Sequence, residues 1–180
     1  GGELARQAIQ HLLSRGGRRF ALMLGQPVKH PGREGIIEAA RRELASAGVS
    51  LPDEQIFFFD TPHGYAVPAD PYVDAREKMR EVLTRGTNFD SVITLCDYYA
   101  VGALQALKEA GLRVPQDVKV ASITRNAIEG ATAIKLTTID TRPEERARVA
   151  TGLLLRRIEG YTGPVEIHHV AGELMAGETT

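Results

Sequence analysis

The stretch from Ser91 to Arg125, SVITLCDYYAVGALQALKEAGLRVPQDVKVASITR, decides the fold. Ser91 to Leu95 is a short apolar run that stops at a polar pair, Cys96 and Asp97, before helical spacing begins. From Tyr98, Val101, Leu104 and Leu107 recur at three-residue intervals with Ala100, Ala103 and Ala106 beside them. Gly111 is placed to end the helix in a left-handed cap, and Pro115 blocks continuation. Val118 to Ile123 reads as a second buried strand. A strand, a helix and a strand in this order predict a right-handed crossover between parallel strands. Ligands in such sheets sit beyond the carboxyl ends of the strands, which here are Cys96-Asp97 and Thr124-Arg125.

The rest of the chain repeats this alternation. Leu4, Ala5, Ala8, Ile9, Leu12 and Leu13 form one helical stripe ending near Gly16-Gly17, and Phe20 to Leu24 follows as a buried strand. Gln26 to Gly32, with two prolines, is expected to be a strand-end loop. A helix from about Arg33 to Ala47 buries Ile36, Ile37, Ala40 and Leu44. Gln55 to Phe59 is an apolar strand, Asp60 to Pro71 a loop of functional length, and Asp74 to Leu83 a helix. Strand alternation separates the three phenylalanines: Phe57 and Phe58 read as core, and Phe59, nearest the strand end, is the candidate for stacking on a ligand. Pro143 can open a helix to about Glu159 with Val149, Leu153 and Leu154 as its buried stripe.

Composition excludes several classes. With 43% hydrophobic and 25% charged residues, 180 residues suffice for one domain with a substantial core. The net charge of -1 is spread through the chain, so no polyanion-binding face is expected and the chain alone should bind DNA poorly. Cys96 is the only cysteine, which rules out an internal disulfide and fits a reducing cytoplasm. No apolar stretch approaches the length of a membrane span, and no export signal is recognised. His168 and His169 are adjacent on a segment of strand character and point to opposite faces, so they make a poor metal pair. No glycine-rich phosphate loop or serine elbow is present, and no cofactor is expected.

Asp97, Ala100, Gly102-Ala103-Leu104, Ala106-Leu107, Gly111-Leu112, Val114-Pro115, Asp117-Val118 and Val120, with Leu136-Thr137-Thr138-Ile139, resemble the effector-binding core of the LacI/GalR family of bacterial transcription regulators. The resemblance implies an α/β fold of the periplasmic-binding-protein type I kind, a parallel sheet flanked by helices. Residues 1–180 would form an effector-binding domain incomplete on its N-terminal side. Residues 1–140 would be mainly the carboxyl-terminal subdomain, and 141–180 a crossover helix with a late strand at Val165 to Val170. A complete family member carries a helix-turn-helix domain ahead of this region, and none is recognised here. Operator DNA would be bound only through that domain, with a small-molecule effector and a second copy of the chain as the other partners. A dimer surface is implied on the outer face of the Tyr98 to Ala110 helix and at 126–132, with Val101, Gln105 and Ile128.

Arg33, Phe59, Cys96, Asp97, Thr124 and Arg125 are the candidates for the cleft, Arg33 through the resemblance and the others through their places at strand ends. Arg33 departs from the family spacing, preceding Gly35 by two residues rather than three, and a solvated helix-start arginine is the competing reading. Asp97 also reads as the cap of the helix that follows it. The family commonly has Gly-Phe-Asp-Asp where this chain has Ser122-Ile123-Thr124-Arg125. An anionic acceptor has become a hydroxyl and a guanidinium, which favours a ligand with a carboxylate or phosphate; the other reading points Arg125 at solvent or a partner. At the C-terminus the family arginine is replaced by Gly177 in ELMAGETT. Two rivals remain: a transporter's solute receptor, which shares the fold, and a cysteine-dependent enzyme built on Cys96, whose thiol would feel the helix dipole.

Overall fold

The computed structural model describes residues 1–25, 31–59, 70–125 and 134–180. Among the described residues, six strands form one sheet in the order β2-β1-β3-β4-β5-β6. They are β1 (Phe20–Met23), β2 (Ile56–Phe57), β3 (Ser91–Thr94), β4 (Lys119–Ser122), β5 (Thr137–Asp140) and β6 (Glu173–Met175). The first five are parallel, and β6 alone runs antiparallel, on β5. The five helices are α1 (Gly2–Ser14), α2 (Pro31–Ser46), α3 (Pro71–Thr84), α4 (Asp97–Glu109) and α5 (Pro143–Ile158).

Strand alternation sends side chains to two cores. Phe20, Leu22, Ile93, Ala121 and Ile139 meet Ala8, Ile9 and Leu12 of α1 and Ile36, Ala40 and Leu44 of α2. Ala21, Met23, Val92 and Val120 meet Met79 and Val82 of α3 and Ala100, Ala103 and Leu107 of α4. A parallel sheet covered on both faces needs such continuous apolar strands, and β1 and β3 are buried at every position. α3 and α4 pack closely because Gly102 has no side chain: a Cβ there would meet Tyr72 O, with Arg76 N at 2.8 Å and the Ala75 Cβ at 2.9 Å. Gly111, at φ +77, ends α4 in the left-handed region as its position predicts.

The structure shifts several boundaries and corrects two expectations. α3 begins at Pro71, three residues before the expected Asp74, because Asp70 caps it by accepting from the Tyr72 and Val73 amides at 3.0 and 3.3 Å. The strand expected at Gln55 to Phe59 shortens to Ile56–Phe57, preceded by a single 3-10 turn (Asp53–Gln55). The late strand expected at Val165 to Val170 does not form: Val165 and Ile167 are 84% and 94% exposed, no described strand pairs with them, and the last strand is Glu173–Met175. Nor does α5 have a buried stripe. Val149 and Leu153 are half-buried, Leu154 is 60% exposed, and no residue of the helix is buried. The expected dimer residues Val101 and Gln105 lie half-buried on α4, and Gln105 donates to Glu109 Oε1 at 2.9 Å. Ile128, and most of the two loops expected after β1 and β2, fall outside the described residues.

Candidate functional site

The carboxyl edge of the sheet is built by one local device used twice. The Thr94 hydroxyl, last in β3, donates to Cys96 O at 3.0 Å, and the Ser122 hydroxyl, last in β4, donates to Thr124 O at 2.9 Å. Each bond reaches two residues ahead and turns the chain out of its strand. Thr94 and Ser122 are register partners, so the two turns lie side by side. The Asp97 amide then donates to Thr124 O at 3.2 Å, which closes the β3 end on the β4 end. Cys96, Asp97 and Thr124 are thus brought together as the sequence predicts.

Asp97 is 2% exposed and opens α4, its Oδ1 accepting from the Tyr98 amide at 3.0 Å. Its place beside the first N–H groups of a helix suits a carboxylate. Cys96 is the N-cap residue of that helix, in extended conformation. Burial pushes its thiol up to about 11, and the neighbouring Asp97 charge adds to this; hydrogen bonding from the Tyr98 and Tyr99 amides opposes both without winning. The group is therefore a neutral thiol at physiological pH, unlike the activated nucleophile that a cysteine enzyme requires.

Two other candidates converge on a residue that sequence reasoning passed over. Phe59 is 2% exposed and belongs to the α3/α4 core, where its ring meets Tyr99 edge-on, with centroids 4.6 Å apart and planes at 78°. It supports Tyr99 and offers no open face for stacking. Tyr99 itself comes close to the backbone just beyond β1: a Cβ on Gly25, which has φ +78, would stand 2.6 Å from the Tyr99 oxygen. Burial raises the pKa of the phenol, and the charge of Arg33 pulls it back. Arg33, in the first turn of α2, is half-buried, and its Nη1 is shielded from solvent without a hydrogen-bond partner among the described residues. The signal for Tyr99 was present in the Tyr99, Ala103, Ala106 spacing, which puts it on the buried face of α4, while Tyr98 stays 39% exposed.

Arg125 lies at the far side of this edge. Its amide donates to Ile139 O at 3.1 Å, its Nη1 is 3.6 Å from Asp140 Oδ2, and the same nitrogen donates to Met175 Sδ at 3.5 Å. The guanidinium is directed along β5 and β6, and Asp140 supplies a counter-charge that the sequence reading did not foresee. Asp140 was findable as the last residue of β5, by the strand-end rule that singled out Cys96-Asp97 and Thr124-Arg125. An open groove of about 450 Å³ lies further along, between the start of α1, α5 and the segment before β6, lined by Leu4, Val149, Leu153 and His169 among others. Among the described residues no cluster of three histidine, cysteine or acidic side chains could hold a metal ion, and no helix is long and apolar enough to cross a membrane.

A mostly parallel sheet covered by helices on both faces is a doubly wound α/β architecture, to which the periplasmic-binding-protein-like class belongs. The chain belongs to that family: residues 9–180 match the periplasmic binding protein-like domain. Within it, the chain is similar to transcription regulators of the LacI type. It is 30% identical over 165 residues to the HTH-type transcriptional repressor MelR of Bacillus subtilis, covering 91% of this chain and 46% of that protein. It is 32% identical over 159 residues to the ribose operon repressor of Escherichia coli, covering 88% and 44%. A putative LacI-family regulator from Sanguibacter keddieii superposes with a TM-score of 0.83 at 28% identity, over 98% of this chain and 63% of that one. CcpA of Lactococcus lactis, at 21% identity and a TM-score of 0.82, shares the fold. The chain spans less than half the length of the curated relatives it matches. Those relatives are regulators rather than enzymes.

Proposed function

We propose that residues 1–180 are the effector-sensing part of a LacI-type transcriptional regulator acting in the cytoplasm. The observation that carries this reading is the closure of two strand ends on the start of α4, through Asp97 N and Thr124 O, in a chain whose relatives include a ribose operon repressor. Residues 1–140 act as one lobe, and α5 with the following segment leads into a second. Arg33, Cys96, Thr124 and Arg125 face the small molecule, Asp97 fixes the start of α4 beneath them, and Phe59 holds Tyr99 behind them. Val101 and Gln105 on α4, with Ile128, contribute to a two-fold dimer. Operator DNA is bound by a domain beyond these residues.

The ligand is a sugar or sugar derivative. Thr124 and the amides at the start of α4 suit hydroxyl groups, and Arg125 suits a carboxylate or phosphate that competes with Asp140 for the guanidinium. A thermal-shift comparison of ribose, ribonate and ribose 5-phosphate on the regulator that contains this chain tests it. The acidic ligands should raise the melting temperature more than ribose, and Arg125→Gln should remove that advantage. Stabilisation by none of a broad panel of sugars and sugar acids would remove the sensing role; stabilisation by neutral sugars alone would remove only the anionic ligand.

A further inference from the structure

The carboxylate of Asp140 is divided between two duties. Oδ2 stands 3.6 Å from Arg125 Nη1, at the candidate ligand edge. Oδ1 accepts from the Arg142 amide at 2.8 Å. Arg142 is the only non-glycine residue among those described with a positive φ, at φ 54 and ψ 57. It also precedes Pro143, a position that favours extended backbone. A β-carbon makes the left-handed conformation unfavourable, so this turn persists because neighbours hold it. Two neighbours do: Asp140 through the amide, and Glu145 through an ion pair of 2.6 Å with the Arg142 guanidinium.

Arg142 is also the root of α5. That helix leaves the sheet immediately after the turn and buries none of its residues. Its direction therefore depends on the conformation of residues 140–142 more than on packing along its length.

We propose that Asp140 is a positioning residue that couples Arg125 to the α5 turn: the carboxylate is held in place from one side by the guanidinium and from the other holds the strained Arg142 amide. This rests on the reading of Arg125 as a ligand-facing group. A ligand anion that draws the guanidinium off Oδ2 leaves the carboxylate free to turn about its Cβ–Cγ bond, and the Arg142 amide loses its fixed acceptor. The left-handed turn relaxes toward extended backbone, and α5 changes direction with whatever is attached to it. The element biased by the ligand is thus a single turn with two backbone states.

The coupling can be read without any ligand, from hydrogen exchange of single amides by NMR in residues 1–180. Arg125→Gln should speed exchange of the Arg142 amide by about tenfold, the loss of one hydrogen bond of ordinary strength. Asp140→Asn, which keeps an acceptor for that amide but not the charge facing Arg125, should speed it by a smaller factor. Amides of α4 from Ala103 to Leu107 should not change in either variant. In an Arg142→Gly background, where the turn needs no support, Arg125→Gln should no longer lower the urea midpoint. An Arg142 amide that exchanges at the wild-type rate in Arg125→Gln, or one whose acceleration is matched throughout α4, overturns the coupling. Because no effector enters these measurements, their failure leaves the sensing role standing, and failure of the sugar panel leaves the coupling standing.

Discussion

Cys96 shows how two effects at one residue are weighed. Its position at the start of α4 should lower the thiol pKa, and hydrogen bonding from the Tyr98 and Tyr99 amides acts in that direction, yet burial and the Asp97 carboxylate carry the value to about 11. Helix position is legible in a sequence, whereas the depth of a side chain at a strand end is not, and depth decides here. The sign of the linkage follows. An unfolded chain releases the thiol proton near the ordinary value of 9.0, and the folded chain holds it to about 11. Above pH 9 the unfolded state therefore binds fewer protons and stability falls with pH until about 11. Urea midpoints between pH 8 and pH 10.5 should decline less steeply in Cys96→Ala than in the wild type. Iodoacetamide should label Cys96 of the folded chain slowly at pH 7.5. Rapid labelling at neutral pH would show an activated thiol and revive the enzyme reading. Arg125 teaches the complementary lesson: its place at the end of β4 was legible, but Asp140 and Met175 belong to strands that follow it in sequence, and nothing local to SITR announces them.

Elements were more legible than their partners. α1, α2 and α4 appear where 3.6-residue spacing and glycine stops put them, and β1, β3 and β4 differ from their expected spans by one or two residues. The segment from Val165 alternates like a strand, but alternation says nothing of whether a strand pairs with it, and among the described residues none does. The C-terminal tail gives the clearest structural reason for a departure from the family pattern. Thr179, fully buried, exchanges hydrogen bonds with Val120 through N–H to O at 2.8 Å and hydroxyl to O at 2.7 Å, and the Thr137 amide donates to its hydroxyl at 2.9 Å. The tail reaches this position by passing close to the backbone before β5. A Cβ at Gly177 would collide with Lys135 O and lie 2.6 and 2.7 Å from the carbonyl carbon and oxygen of Leu136. Backbone atoms cannot swing aside as a side-chain tip can, so the arginine of the family pattern does not fit this path. Gly177→Ala should cost about 1–3 kcal/mol of unfolding free energy, and Gly177→Arg at least as much. Urea denaturation measures both; a neutral alanine would mean that the tail leaves the sheet without loss.

At the scale of the molecule, the conspicuous feature is a helix none of whose residues is buried among the described residues. Leu154, Leu155 and Ile158 of α5 are 60%, 50% and 71% exposed, and Val165 and Ile167 of the segment after it are more exposed still. So many large apolar side chains on one contiguous length of chain mark a surface that is covered by something else. The relatives of this chain are about twice its length, and on the proposed division into lobes the missing cover is the second lobe of the same regulator. The apolar pattern of α5 was legible in sequence as a buried stripe, but a pattern does not say what buries it. Ile158→Glu separates the two cases. Within residues 1–180 the side chain loses little packing, so the unfolding free energy from urea denaturation should move by no more than about 0.5 kcal/mol, as for an ordinary surface change. On the proposed division into lobes, the same substitution in the longer regulator would place a carboxylate where the isoleucine is buried. The loss of burial alone is worth about 1.5–3 kcal/mol, before any cost for the charge. A variant that unfolds residues 1–180 would put Ile158 in a core not visible here, and one that leaves the longer protein unchanged would assign the cover of α5 to something other than the second lobe.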